Sequence, residues 1–278
     1  MDDRESTLRS RVLGAQLRRI REQTGHTMTE ITHALKWSIS RLSRLESGKR
    51  GTPIIELATL LGLYGVSGQH RDQLLELSRN AWSTTWAQSH HSQLPDDLEP
   101  VQLAESTADA IVGYHPWAIP ALLQTADHTR ALLRGHASDA VDRWVRARSA
   151  RQQLIRTTPQ LTFYIPEAVL HTPIGGPKVI NDQLMHLALV AGDHRCAIHI
   201  TPDRSTGDPV ELITYTDCPP VAYIETATTS LFLEDPPSIH IYRTFLEHLA
   251  DTALDRHTSR DLILTLADKY EPGTQRAS

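Results

Sequence analysis

The run SISRLSRLESGKR, Ser38 to Arg50, sets hydroxyl side chains beside three guanidinium groups, a combination suited to reading base edges and holding phosphates. Arg41 is the leading candidate reader, because a guanidinium can donate two parallel hydrogen bonds to guanine O6 and N7. Ser40 and Arg44 come next, and Ile39, at the start of the same segment, joins the base-reading set. Thr27, Thr29, Ser38, Lys49 and Arg50 stand where helix N-termini and a following basic loop meet phosphates, contacts that fix register without reading sequence.

Such side chains work only if helices present them. Upstream, Leu8, Val12, Leu13, Leu17 and Ile20 recur at helical spacing, with Arg9, Arg11, Arg18, Arg19 and Arg21 on the remaining faces, and Gly25 ends that helix. Thr27 followed by Glu30 forms a capping box, predicting a short second helix from Met28 that buries Ile31, Ala34 and Leu35. A turn through Lys36 and Trp37 leads to Ser38, an N-cap, and to a third helix whose apolar positions Ile39, Leu42 and Leu45 are three apart. Ser40, Arg41 and Arg44 then face away from the stripe, the split that a helix entering the major groove requires. A further helix is expected to open with Thr52 as cap and Pro53 at its first position, followed by Ile54, Leu57, Leu60 and Leu61.

Charge separates along the chain. Residues 9–50 carry ten Lys and Arg against three Asp and Glu, and residues 1–90 thirteen against nine. The total is −5, so residues 91–278 hold −9. A basic head supplies salt-dependent attraction to phosphates, whereas an acidic body has no electrostatic reason to lie along DNA.

The 278 residues, 40% of them hydrophobic, suffice for separate cores. No apolar run approaches the ~18 residues of a membrane span, and the charged start MDDRESTLRSR lacks the pattern of a signal peptide, so a cytoplasmic protein is expected. Cys196 and Cys218 lack metal-finger spacing and read as buried free thiols.

Behind the head, a helix is expected from about Gln69 to Trp86, with Trp82 and Trp86 on one face, ending near the polar stretch SHHSQLPDD. The domains read as 1–90, the DNA-binding head; 91–160, a helical connecting segment belonging to the rear domain; and 161–278, a sensor or partner-binding domain. Helices are expected at Leu103 to Val112, around Leu122 to Leu133 and at Val141 to Ile155. From Leu161 the period changes: LTFYIPE, CAIHITP, VELITYT, PVAYIET and SLFLED are strand-like runs, interrupted by a helix near Lys178 to Ala191 and followed by two more, Ile239 to Ala253 and Ser259 to Lys269. The expected class is a mainly α N-terminal half, a phage-repressor-like helix-turn-helix bundle plus further helices, followed by an α+β domain with a small, mostly antiparallel sheet and helices on one face.

The segment KWSISRLSRLESGKR resembles the phage-repressor or XRE type of helix-turn-helix in its actinobacterial form. That resemblance implies a structural pair between Arg21 of the first helix and Glu46 of the recognition helix, and a dimer reading two half-sites about one turn of DNA apart. The rear half resembles the C-terminal domain of unknown function in actinobacterial WhiJ-like regulators through IPALLQT (Ile119 to Thr125), RARSARQ (Arg146 to Gln152), PEAVLHTPIGGPKVINDQLMHL (Pro166 to Leu187) and VAYIE (Val221 to Glu225). Ala121 stands where that pattern usually has Gly, and His128-Thr129 where an aromatic-Ala pair is common. The resemblance implies a transcriptional regulator whose rear domain senses something, often encoded beside a small partner protein in an antitoxin-like arrangement.

Catalytic motifs are lacking: no GxSxG, Walker loop or HExxH occurs, and Gly175-Gly176-Pro177 reads as a turn feeding a helix. No enzyme activity, cofactor or metal is expected, and His194 and His199, five apart, fall on opposite faces of any shared strand. Arg148, Arg151, Gln152, Glu167 and Gln183 lie inside the family-like stretches. They admit two readings, an effector or partner pocket, or an internal Arg to Glu network tying helix to sheet. Two functions follow, a dimeric DNA-binding regulator responding to a small partner protein or ligand, and an antitoxin-like interaction protein that sequesters a small partner polypeptide and controls its own operon.

Overall fold

The computed structural model describes residues 5–89, 99–154, 160–172, 174–202, 207–226 and 228–271. The chain divides into two compact units, one running to Trp86 and including Asp217–Pro219, the other comprising Ala87–Thr216 and the chain from Pro220 onward. Most of the polar stretch SHHSQLPDD, like Ile155, lies outside the described residues.

Helices α1 (Leu8–Gln23), α2 (Met28–Leu35), α3 (Ile39–Glu46), α4 (Ile54–Leu63) and α5 (Gly68–Arg79) build the first unit. Local chemistry sets their starts: Thr7 and Ser38 accept hydrogen bonds from the amides of Ser10 and Arg41, and Thr27 with Glu30 completes a reciprocal capping box. The apolar stripes converge on one core of Leu13, Leu17, Ile20, Ile31, Leu42, Leu45, Leu57, Leu60, Leu61, Tyr64 and Leu74. Gly14 permits α1 to approach the end of α3, since a Cβ there would fall 2.6 Å from the Glu46 carbonyl oxygen.

Some expectations for this unit change. Ala34, expected on the buried face of α2, is exposed and Leu35 is half-buried, because a helix of two turns buries only Ile31 and Thr32. Pro53, not Thr52, holds the cap position of α4, and the Thr52 hydroxyl donates instead to Glu56 at 2.9 Å. Helix α5 stops at Arg79, because turns closed by Ala81 N to Ser78 O and Ser83 N to Asn80 O divert the chain and the β-branched run before Trp86 becomes strand β1 (Thr85–Ser89). Trp82 and Trp86 therefore share no helix face. Trp82 packs on Gly51, and Trp86 lies under the Arg9 guanidinium at 4.8 Å.

The second class of structure is α+β, as its sequence implies. Strands β2 (Ala110–Tyr114), β3 (Gln160–Pro166), β4 (Cys196–Thr201), β5 (Val210–Thr214), β6 (Val221–Glu225) and β7 (Thr229–Leu233) join β1 in the order β1-β7-β6-β5-β2-β3-β4. The pairs β7–β6, β6–β5 and β5–β2 are antiparallel, while β2–β3 and β3–β4 are parallel. Parallel pairing needs crossovers, supplied by α7 (Ala126–Leu132) and α8 (Ser138–Leu154), then by α9 (Glu167–Leu170) and α10 (Pro177–Ala191).

With seven strands among the described residues the sheet is larger than expected. It gains β2 from a stretch read as helix: only α6 (Glu99–Ser106) precedes it, and Ile111 and Val112 are too few to declare a period. Helices cover both faces rather than one. Helix α11 (Pro236–Thr252) packs Ile239, Leu246 and Leu249 against Tyr114, Tyr164, Val210, Leu212, Ala222 and Ile224. On the opposite face Leu161 and Cys196, directly paired across β3 and β4, meet residues of α10, with α12 (Arg256–Lys269) beside it. Cys196 is buried and Cys218 only half-buried.

Candidate nucleic-acid interface

Helix α3 presents two chemically distinct sides. Leu42, Leu45 and Glu46 are buried, whereas Ser38, Ile39, Ser40 and Arg44 are exposed and Arg41 is half-buried. Ile39 is 55% exposed despite its register with the stripe, so its apolar surface faces outward with the polar residues.

Buried polar chemistry fixes the helix's attitude. Arg21 Nε and Nη2 donate to the two carboxylate oxygens of Glu46 at 2.7 and 2.9 Å, and Arg21 Nη1 donates to the His26 carbonyl at 3.2 Å. This side-on fork ties α1 to the end of α3, and the hydrogen bond to Glu46 raises the Arg21 pKa. Burial, reinforced by the Glu46 carboxylate, raises the Tyr64 hydroxyl pKa beside it.

The outward side is itself organised. The Arg41 guanidinium lies over the Trp37 ring at 4.1 Å, donates to Thr52 at 3.3 Å, and forms a short ion pair with Glu56. Trp37 and Glu56 were not marked as functional by sequence; the signal was an aromatic one turn before α3 and an acid in the first turn of α4. Their hold orients the guanidinium before any ligand arrives, and it is Nη2 that bonds Glu56 and Thr52, leaving Nη1 for a base edge. Arg44 folds back on Ser40, its Nε and Nη2 at 3.3 and 2.9 Å from the hydroxyl.

The phosphate candidates differ in availability. Thr29 and Lys49 are exposed, and Arg50 is half-buried near Ser10, Leu13 and Trp82. The Thr27 amide and hydroxyl both donate to Glu30, at 2.8 and 3.0 Å, so a carboxylate already occupies the N-terminus of α2, and these hydrogen bonds lower its pKa.

In the other unit, three of the five polar residues from the family-like stretches converge on the segment 119–125. Arg148 donates to the Gln124 side chain at 2.6 Å, Gln152 to the carbonyls of Ala121 and Gln124 at 3.3 and 2.8 Å, and Gln183 to the Leu123 carbonyl at 2.8 Å. Gln183 also accepts from the Thr125 amide at 2.7 Å. A buried irregular segment thereby has its backbone groups satisfied by α8 and α10. Ala121 sits in a 3-10 turn, Ala121–Leu123, without a positive φ, so Ala serves as well as Gly.

Arg151 turns instead to Glu105 of α6, a partner the sequence reading missed, with Nε and Nη2 at 2.9 and 2.6 Å from its two oxygens. Arg151 is 1% and Glu105 0% exposed. Glu167 stands apart, half-buried and 3.4 Å from His171. His128 is 3% exposed, neither ring nitrogen has a hydrogen-bond partner, and burial aided by the Arg148 charge lowers its pKa to about 4. His199 lies in β4, where it stacks on Tyr164, whereas His194 precedes the strand. Among the described residues no cluster of three or more metal-ligating side chains occurs and no helix is long and apolar enough to cross a membrane.

Residues 12–74 match a family described as a helix-turn-helix domain, and residues 98–265 match a family described as a domain of unknown function, DUF5753. No curated protein matches. Among solved structures, that titled as TrmBL2, an archaeal chromatin protein with a novel mode of DNA binding, aligns at 10% identity and a TM-score of 0.32 over 67% of this chain. The alignment covers 61% of that protein, so this chain spans about three fifths of its length.

Proposed function

The chain belongs to the DUF5753 family, carried here behind a helix-turn-helix DNA-binding domain, and on that premise we propose that it is a sequence-specific transcriptional regulator of the XRE type. It acts on an operator with two half-sites as a homodimer, in the cytoplasm, and its rear unit receives a ligand or a small partner protein. The proposal assigns it no catalytic step, cofactor or metal.

The observation that carries this reading is the division of α3. Its apolar side and Glu46 are locked into the bundle, while Ser40, Arg41 and Arg44 stand outside with an oriented guanidinium among them. The basic balance of residues 9–50 supports the same reading. Direct base contact by Arg41 is worth about 1–3 kcal/mol of discrimination, five- to 150-fold in affinity.

Fluorescence anisotropy of the full chain on its own upstream DNA and on a shuffled control, at ~0.15 M salt, tests it. Arg41→Ala is expected to erase the preference for the native sequence, whereas Glu56→Gln, which frees Arg41 without removing it, retains the preference. Equal loss in both variants would assign Arg41 to the α3–α4 junction instead of to a base.

A second reading is favoured by Met185 and Leu189, exposed together on α10 of an acidic rear half. There the protein is antitoxin-like: it sequesters a small polypeptide encoded nearby and its DNA binding serves mainly its own operon. Co-purification of a neighbouring gene's product with the full chain separates the two readings.

A further inference from the structure

The second unit contains a cavity of about 900 Å³, within the size range that takes a small organic ligand. Leu161 and Cys196 form part of its lining from β3 and β4, Leu122 and Leu123 from the 3-10 turn, and Leu189 and Val190 from α10. The lining also carries polar side chains, and three of them, His186, Gln152 and Arg260, keep hydrogen-bonding atoms without a partner among the described residues. His186 makes no hydrogen bond with a described residue, and burial lowers its pKa, which keeps the ring neutral at ordinary pH. Gln152 spends its amide N–H groups on the Ala121 and Gln124 carbonyls and retains an acceptor oxygen.

Charge on the lining is arranged unequally. Its aspartate, Asp193, is held by Arg195, whose Nη2 lies 2.8 Å away and whose backbone amide lies 3.0 Å away, and these hydrogen bonds keep the Asp193 pKa far below the usual carboxylate range. Arg260, from α12, donates Nε to the Ala188 carbonyl at 3.1 Å, and its two terminal nitrogens have no acceptor among the described residues. The cavity thus combines an apolar interior with a positive charge left uncompensated by Asp193, inside a half-chain whose net charge is −9. Leu189, 75% exposed although apolar, adds unpartnered surface to the same lining.

We propose that this cavity binds a hydrophobic carboxylate, with its apolar body against Leu122, Leu123, Leu161, Leu189 and Val190 and its anionic end on the terminal nitrogens of Arg260. The inference rests on the reading that the rear unit receives a ligand, and it names the site and the ligand's chemical class. A guanidinium suits the anionic end because it offers two parallel donors to one carboxylate. His186 and Gln152 accept or donate to any polar group along the body.

The test uses the full chain. Anilinonaphthalene sulfonate, itself an apolar anion, is titrated by fluorescence and then displaced with decanoate or with uncharged decan-1-ol. Saturable binding is expected, with decanoate displacing the probe at a concentration lower by about tenfold than the alcohol, the factor expected of a charge-assisted contact. Arg260→Gln should remove that difference and leave the alcohol unchanged, while Leu189→Glu should weaken both; circular dichroism checks that each variant is folded. Absence of saturable binding, equal displacement by acid and alcohol, or indifference to both substitutions would overturn the proposal. DNA anisotropy on the same samples separates the two levels of the argument. If decanoate binds without changing DNA affinity, the site stands and the ligand-response reading fails; if decanoate does not bind and DNA still does, the site fails and the DNA-binding reading stands.

Discussion

Arg151→Ala is the perturbation with the largest effect to be expected outside the head. The substitution leaves the Glu105 carboxylate, 0% exposed, without the guanidinium that now bonds both of its oxygens. Removing one member of a buried pair costs about 3–5 kcal/mol, against a total domain stability of about 5–15 kcal/mol. For a unit of this size that corresponds to a fall in Tm of about 6–20 °C. Glu105→Leu alone should do comparable damage by stranding Arg151. The double variant Arg151→Met, Glu105→Leu should recover most of the loss, because it removes both charges and fills the space with apolar atoms. Thermal unfolding of the full chain by far-ultraviolet circular dichroism measures all four proteins. A single variant within about 2 °C of the parent, or a double variant as unstable as the two losses combined, would refute the reasoning, since a cycle without coupling means the pair does not act as a unit.

Three further outcomes are expected. Gly14→Ala should destabilise the head by about 1–3 kcal/mol and weaken DNA binding, because the new Cβ meets backbone oxygens of Glu46 and Leu45 that cannot move without tilting α3; urea unfolding and anisotropy on the same variant check both effects. His128 contributes a pH dependence whose sign follows from its lowered pKa: the unfolded chain takes up a proton near 6.5 that the folded chain refuses until about 4, so this contribution is complete above pH 6.5 and is lost as pH falls toward 4. His128→Leu should flatten the urea midpoint in that window, and parallel profiles would exclude the assignment. Lys49→Ala should weaken binding to native and shuffled DNA alike and reduce the salt slope by about one, as loss of a phosphate contact does; a change confined to the native sequence would place Lys49 on a base.

The head was legible because its signals are local. A capping box at Thr27 and Glu30, an N-cap at Ser38 and apolar residues three and four apart act within one or two turns, so α1, α2 and α3 begin where the sequence places them. The late strands and helices of the rear half announced themselves in the same way, through β-branched runs and long apolar periods. Strand β2 did not, for its five residues AIVGY follow directly on a helical pattern and become a strand by pairing with β3 and β5. Trp82 and Trp86 illustrate the same limit, since a four-residue spacing means a shared face only if the helix continues, and it ends at Arg79.

Partnership between side chains follows this division. Sequence alone marked the residues whose types could carry chemistry: Arg41 and Arg44 on a short helix, a basic head before an acidic body, and the polar set of Arg148, Arg151, Gln152, Glu167 and Gln183. The tertiary structure decided what each one meets. It placed Glu105 against Arg151 across forty-six residues, brought Glu56 and Trp37 to Arg41, gathered Arg148, Gln152 and Gln183 around one loop, and left Glu167 outside. Helix caps and periodicity are properties of neighbours along the chain, whereas ion pairs and cavities belong to elements that become neighbours only when the sheet and bundle close.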